Sequence, residues 1–171
     1  MTLMTKNILS QTFIIHQKLD KELKIDNSVI ANHFINNQKK ENPFPVEWEV
    51  NIGRIFQHQM EKYDVEYKRY TFLLNLNAIV LNEKQFYQKD NYLNNENLLD
   101  SPDMTLIYHA SGNEDLKIRF THSFQRIENR EYNYNLKVGE LVMFNSGLNH
   151  LIFNSLEQNT LFLAHYQHQR A

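Results

Sequence analysis

From Tyr70 onward, apolar and polar positions alternate in short bursts. Tyr70 to Leu81 reads YTFLLNLNAIVL, with Asn75 and Asn77 on one parity. Thr105 to His109 reads TLIYH. Leu116 to Phe124 sets Leu116, Ile118 and Phe120 against Lys117, Arg119 and Thr121. Three further stretches follow: LVMF at Leu141 to Phe144, HLIFN at His150 to Asn154, and TLFLAHYQ at Thr160 to Gln167. A period of two belongs to a strand with one buried face, so these stretches predict at least six short strands divided by polar turns. The first third follows a different rule. Asp26, Asn27 or Ser28 supplies a cap for a short helix through Val29, Ile30, Phe34 and Ile35. Pro43 and Pro45 interrupt the chain, and Pro45 suits the first turn of a second helix. In that helix Trp48, Ile52, Ile55, Phe56 and Tyr63 recur at helical spacing, opposite Glu47, Glu49, Arg54, Gln59 and Lys62.

Helices followed by many short antiparallel strands predict an α+β fold, with N-terminal helices packed on a jelly roll or barrel. The chain has 171 residues, enough for one domain with a sizeable core. No linker or repeat divides it, so 1–171 reads as a single domain: 1–68 mainly helical, 69–171 a jelly-roll β core.

Composition narrows the chemistry. The net charge is −2 and the pI about 6.4, which argues against a general electrostatic grip on nucleic acid. The chain has no cysteine, which excludes disulfides, a thiol nucleophile and thiolate metal sites. Any metal must be held by His, Asp, Glu or Gln. No apolar run approaches the roughly 18 residues of a membrane span. Met1 to Leu19 is interrupted by Lys6, Gln11, His16 and Lys18 and lacks a small-residue cleavage site, so a cytoplasmic protein is expected. Phosphate-binding glycine loops, nucleophile elbows and zinc-protease helix motifs do not occur.

The most specific stretch is Val138 to Asn154, VGELVMFNSGLNHLIFN. Gly139 precedes a short apolar strand, Asn145 to Gly147 make a turn, and His150 opens the next strand. A glycine permits the positive φ of a sharp turn, and the strand period then puts His150, Ile152 and Asn154 on one face. Gly139, Gly147, His150 and Asn154 match the second cupin motif in register, with Asn145 in place of its proline. The segment resembles the second half of a double-stranded β-helix of the cupin and Fe(II)/2-oxoglutarate oxygenase type. Over roughly Tyr70 to Asn154 the order of parts is similar to short, phage-type and prolyl-hydroxylase-like oxygenases.

That resemblance implies Fe(II) and 2-oxoglutarate as cofactors and hydroxylation of a small-molecule or peptide substrate. It implies a metal centre of His150 and Asp90, with Gln88 at the third ligand position. The family has His-x-Asp there, whereas this chain reads Gln88, Lys89, Asp90. An amide oxygen is a weaker ligand for Fe(II) than an imidazole. Many members of the family place an arginine about ten residues beyond the distal histidine to pair with the co-substrate carboxylate; here that region, EQNTLFLAH, has none, so the resemblance assigns the role to Lys117 or Arg119. They face the barrel only if Leu116, Ile118 and Phe120 pack under the helices.

Two other readings compete. One is a jelly-roll binding or interaction module without metal. The other is a cupin-type metal enzyme using His109, His122 and His150, although none of these has the first-motif spacing. His16, His33, His58, His165 and His168 read as surface or partly buried residues. Phe86, Tyr87, Tyr92, Tyr132 and Tyr134 are candidates for a pocket mouth, and the helical first third is a candidate homodimer contact.

Overall fold

The structure is a computed structural model. It describes residues 14–37, 44–67, 70–112, 116–124, 128–154 and 157–169. In chain order the elements are β1 (Ile14–Lys18), α1 (Asn27–Asn37), α2 (Val46–Tyr67), β2 (Thr71–Leu81), β3 (Phe86–Lys89), β4 (Met104–Ser111), β5 (Lys117–Phe124), β6 (Glu128–Asn135), β7 (Glu140–Asn145), β8 (Asn149–Phe153) and β9 (Asn159–His168). They form two antiparallel sheets. The larger has the order β1-β7-β4-β9-β2, and the smaller β3-β8-β5-β6.

Alternation along the strands separates two cores. On β4, Leu106 and Tyr108 point to the helices, while Ile107 points between the sheets. On β9, Phe162, Ala164 and Tyr166 face the helices, and Leu161 and Leu163 face inward. The inter-sheet core adds Val142 and Phe144 from β7, and Ile118 and Phe120 from β5. Both faces of β4 and β9 are therefore covered, which explains their nearly unbroken burial.

The helices close the outer face of the larger sheet. Val29 and Ile30 donate their N–H groups to the Asp26 carbonyl at the start of α1. Pro45 directly precedes α2 and its carbonyl accepts from Glu49, so the proline occupies the helix entry as its fixed φ favours. Phe34 of α1 packs edge-on against Phe162, and Phe56 of α2 against Tyr108. Gln59, expected on the polar face of this helix, is instead buried, and its Oε1 accepts the Asp20 N–H at 3.4 Å. Asp64 is also buried and ties α2 to β2, accepting from the Thr71 N–H at 2.9 Å and the Thr71 hydroxyl at 3.0 Å.

One strand falls in the part read as helical. β1 pairs with β7 from Ile14↔Phe144 to Lys18↔Glu140 and forms an edge of the larger sheet. β3 and β6 were also not expected, and both are edges of the smaller sheet. No helix among the described residues is long and apolar enough to cross a membrane.

Candidate functional site

The expected turn at the end of β7 is present. The Leu148 N–H donates to the Asn145 carbonyl at 3.0 Å, and β8 starts one residue before His150. The positive φ falls at Gly139 (φ 87°), before β7, and not at Gly147. Inward alternation on β8 is also as expected. His150 and Ile152 are fully buried and Asn154 nearly so, while Leu151 and Phe153 are only partly covered. Asn154 does not take part in the His150 site. Its Nδ2 donates to the carbonyls of Leu81 (3.1 Å), Asn82 (2.5 Å) and Glu157 (2.6 Å), stitching loop ends together.

Pairing with β3 decides which residues share His150's face. The register is Phe86↔Phe153, Tyr87↔Ile152, Gln88↔Leu151 and Lys89↔His150. Directly opposed residues lie on the same face of a sheet. Tyr87 and Lys89 therefore belong to the face of His150. Gln88 shares the outward face of Leu151 and is exposed. Asp90 is also exposed, and its Oδ1 accepts from Asn149 Nδ2 at 2.9 Å, one strand position off the His150 face. The expected ligand set is not assembled: Gln88 and Asp90 point away from His150. The inward residue of β3 nearest His150 is Lys89, an ammonium where the resemblance calls for a ligand.

Lys117 and Arg119 also require correction as co-substrate ligands. Leu116, Ile118 and Phe120 line the space between the sheets, so the two cations face outward. Lys117 is exposed. The Arg119 Nε donates to Asn133 Oδ1 at 3.0 Å, and its guanidinium lies 5.3 Å from the Phe153 ring centre.

Of the polar groups that surround His150, Tyr87 and Tyr92 are among the aromatics expected at a pocket mouth, whereas His165, Thr105 and Ser146 are not expected there. Tyr92, just beyond β3, is anchored by its N–H to the Ser146 carbonyl at 2.8 Å. Its ring lies between the two buried histidines, 5.3 Å from the His150 ring and 4.5 Å from that of His165. His150 Nδ1 lies 3.2 Å from the Leu148 carbonyl, which only an N–H can satisfy. The remaining Nε2 is then an acceptor, and the Tyr92 hydroxyl donates to it at 2.9 Å. The Tyr87 hydroxyl is 3.3 Å from that of Tyr92. His165 was read as a surface or partly buried residue, but it is only 7% exposed and faces inward. Its Nδ1 is 3.0 Å from the Thr105 hydroxyl, which in turn lies 2.8 Å from the Ser146 hydroxyl. Lys89 stands at the solvent edge, with Nζ 6.0 Å from the Tyr92 ring centre. On the neighbouring strand β2, Asn75 pairs with His165 and Asn77 with Leu163.

This environment sets the charge of the site. Burial pushes the His150 imidazole down to about 4, assisted by the nearby Lys89 ammonium. His165 is also pushed down to about 4 by burial, and then by His150 and Lys89. Burial raises the Tyr92 phenol well above its ordinary value. At neutral pH the cluster holds two neutral imidazoles and two protonated phenols.

The cupin alternative fares no better. His109 is fully buried, with Nδ1 2.8 Å from the Leu136 carbonyl and Nε2 2.7 Å from Asn159 Oδ1. It lies four positions along β4 from Thr105, about 13 Å at the strand rise. His122 pairs with Arg130 and lies two residues along β5 from Phe120, the direct partner of His150. Among the described residues no group of three His, Asp or Glu side chains is placed to hold a metal ion, so His109, His122 and His150 do not form the cupin set. Fe(II), which the resemblance implies, does not fit the donors present. His150 Nε2 is covered by the Tyr92 phenol, no carboxylate among the described residues joins His150 and His165 in a metal-holding group, and the Lys89 ammonium stands nearby.

The fold has clear counterparts among solved structures. A Pseudomonas putida prolyl-4-hydroxylase aligns with a TM-score of 0.64 at 12% identity, over 93% of this chain and 90% of that one. The viral collagen prolyl hydroxylase of Paramecium bursaria Chlorella virus-1, in its 2-oxoglutarate complex, aligns at 0.59 and 11%, over 92% and 96%. The iron-bound HygX of Streptomyces hygroscopicus aligns at 0.52 and 10%, over 91% and 82%. No family model and no curated protein sequence matches the chain.

Proposed function

We propose that this chain, a divergent double-stranded β-helix of the 2-oxoglutarate/Fe(II) oxygenase-like type, is a metal-independent binding protein for a small polar molecule received at the His150 end of the barrel. The observation that carries this reading is the pairing of Lys89 with His150 across β3 and β8. A cation in that position disfavours a second one beside His150, as it disfavours the protonated form of both buried histidines. Gln88 and Asp90 do not compensate, since both face away. What remains at this end of the barrel is a set of hydrogen-bonding groups suited to a polar ligand: Tyr87, Tyr92, Asn75, Asn77 and Lys89 around two neutral histidines.

A second reading is an Fe(II)/2-oxoglutarate oxygenase that hydroxylates a small molecule or peptide. The oxygenase identity of the structural counterparts favours it, as does the position of His150 at the start of β8. In that reading His150 supplies one ligand and the rest of the set must form by rearrangement of the β3 end.

An anaerobic Fe(II) titration with and without 2-oxoglutarate, followed by visible charge-transfer absorbance, separates the two. The metal-independent reading expects no band and no retained iron. A band that needs both additives and is lost in His150→Ala overturns it in favour of the oxygenase.

A further inference from the structure

We propose that the cavity between the β1–α1 connection and α2 takes a small amphiphilic anion, its apolar tail on Trp48, Ile52 and Ile55 and its acidic head among Lys21, Lys24 and Arg54. The cavity has a volume of about 860 Å³. Small-molecule sites span roughly 300–1,000 Å³. Leu23 and Ile25 of the connection form one wall, and Trp48, Ile52 and Ile55 of α2 form the other. These five residues belong to the core on the helical side of the larger sheet, whereas His150 packs against Phe120 and Phe144 between the sheets. The cavity is therefore separate from the His150 end of the barrel. Trp48, Ile52 and Ile55 follow one another at helical spacing and make a single stripe. Ile52 is buried, but Trp48 and Ile55 are only partly covered. A smaller cavity of about 240 Å³, reaching Tyr108 and Ala110 of β4, shares Leu23 and Ile25 with the larger one. The two apolar residues of the connection thus wall two cavities and fill neither.

Charge then selects the ligand. Lys21, Lys24 and Arg54 line the same cavity, are exposed, and have no ion pair among the described residues. The acids of the lining, Glu22 and Glu47, are otherwise engaged. Glu22 lies 3.7 Å from the Lys18 ammonium. Glu47 is in the first turn of α2, where the helix dipole favours a carboxylate. The cations outnumber the acids, so the rim is positive. Arg54 presents a planar fork of N–H donors, and the lysines add mobile point charges. An apolar stripe beside unpaired cations complements the tail and the acidic head of one molecule. A neutral apolar ligand leaves the cations unused, and a purely polar anion leaves the stripe bare. The part of α2 that lines the cavity, Glu47 to Ile55, is about 12 Å long, which suits a short free amphiphile rather than a bilayer lipid. Trp48 is held in place as a wall by α1, its ring 5.0 Å from that of His33 and 6.2 Å from that of Phe34.

Trp48 is the only tryptophan of the chain, so its fluorescence reports on this cavity directly. Decanoate, octanoate, decanol and decyltrimethylammonium are titrated into the intact protein at neutral pH, each below its micelle-forming concentration. Saturable decanoate binding with a shift of the Trp48 emission is expected. Octanoate, two methylenes shorter, should bind about 10-fold more weakly. The double variant Lys21→Gln with Arg54→Gln should weaken decanoate by about 10-fold and leave decanol unchanged. Both positions are exposed, so this variant is expected to fold as the parent does. Decanol or decyltrimethylammonium bound as tightly as decanoate, octanoate bound as tightly as decanoate, or an unaffected double variant overturns the amphiphilic-anion assignment. An unchanged Trp48 emission with decanoate overturns it as well. Capture on phosphatidylglycerol vesicles without binding of free decanoate overturns it in favour of a membrane contact. Decanoate that moves the His150 ring nitrogen signals but not Trp48 places the ligand between the sheets and also overturns it.

Discussion

Tyr92 holds His150 in one tautomer. The imidazole proton is on Nδ1, facing the Leu148 carbonyl, and Nε2 takes the phenol proton. A donor at Nε2 favours the neutral ring, so Tyr92→Phe removes part of what keeps His150 unprotonated. The pKa of His150 is expected to rise from about 4 in that variant, with a loss of stability of about 1–2 kcal/mol, as a buried nitrogen loses its partner. A histidine NMR titration and urea unfolding check both numbers; an unmoved His150 would show that the phenol is not its donor. His150 itself was legible in the sequence because a short strand, a turn and a histidine leave little freedom in where the ring points. Gln88 and Asp90 were not. Alternation shows which residues share a face but not which face is inward. A shift of one residue in the pairing with β8 exchanges Gln88 for Lys89 on the inward face. The same ambiguity applied to Lys117 and Arg119, and the apolar Leu116, Ile118 and Phe120 resolved it by lining the barrel.

At the level of elements, two glycines flank strands for different reasons. Gly112 follows β4 with φ 132°, and a Cβ there would lie 2.0 Å from Asn159 Oδ1 and 2.9 Å from the Asn159 Cα. Asn159 opens β9, meets His109, and donates to the Asn154 side chain. Gly112→Ala therefore strains the junction where β4, β8 and β9 end or begin, and about 3 kcal/mol of stability should be lost. Gly139 has φ 87° but open space around it, so Gly139→Ala should cost only the backbone term, about 1 kcal/mol. Thermal melts of the two variants should rank them in that order; an equal drop would mean that Asn159 moves aside without penalty. The elements found in the sequence and those missed also differ for a reason. β1, β3 and β6 are all sheet edges. An edge strand covers less of its surface, so it carries polar residues on both parities, as in Glu128 to Asn135, ENREYNYN. β4 and β9, buried on both faces, announce themselves as apolar runs.

For the molecule as a whole, His150 and His165 make stability depend on acid. Their folded pKa values, about 4, lie below the ordinary 6.5. Between those values the unfolded chain binds more protons than the folded one, so stability is full above pH 6.5 and falls as the pH drops toward 4. Each histidine contributes up to about 3 kcal/mol to this loss. Urea unfolding at pH 7.5, 6, 5 and 4 should show a steady decline starting near pH 6.5; a flat profile down to pH 5 would mean that the histidines are not neutral in the folded protein. The order of the larger sheet, β1-β7-β4-β9-β2, has a consequence for how the chain is made. β9 sits between β2 and β4, pairing with both along most of its length. During synthesis β2 and β4 emerge from the ribosome long before the strand that joins them. Until Asn159 to His168 arrives, each waits with an open edge, and the helices have no finished sheet to rest on. Folding must be completed late, in one closing insertion, and a ribosome stalled before Asn159 would display a split sheet prone to capture by chaperones or by other nascent chains.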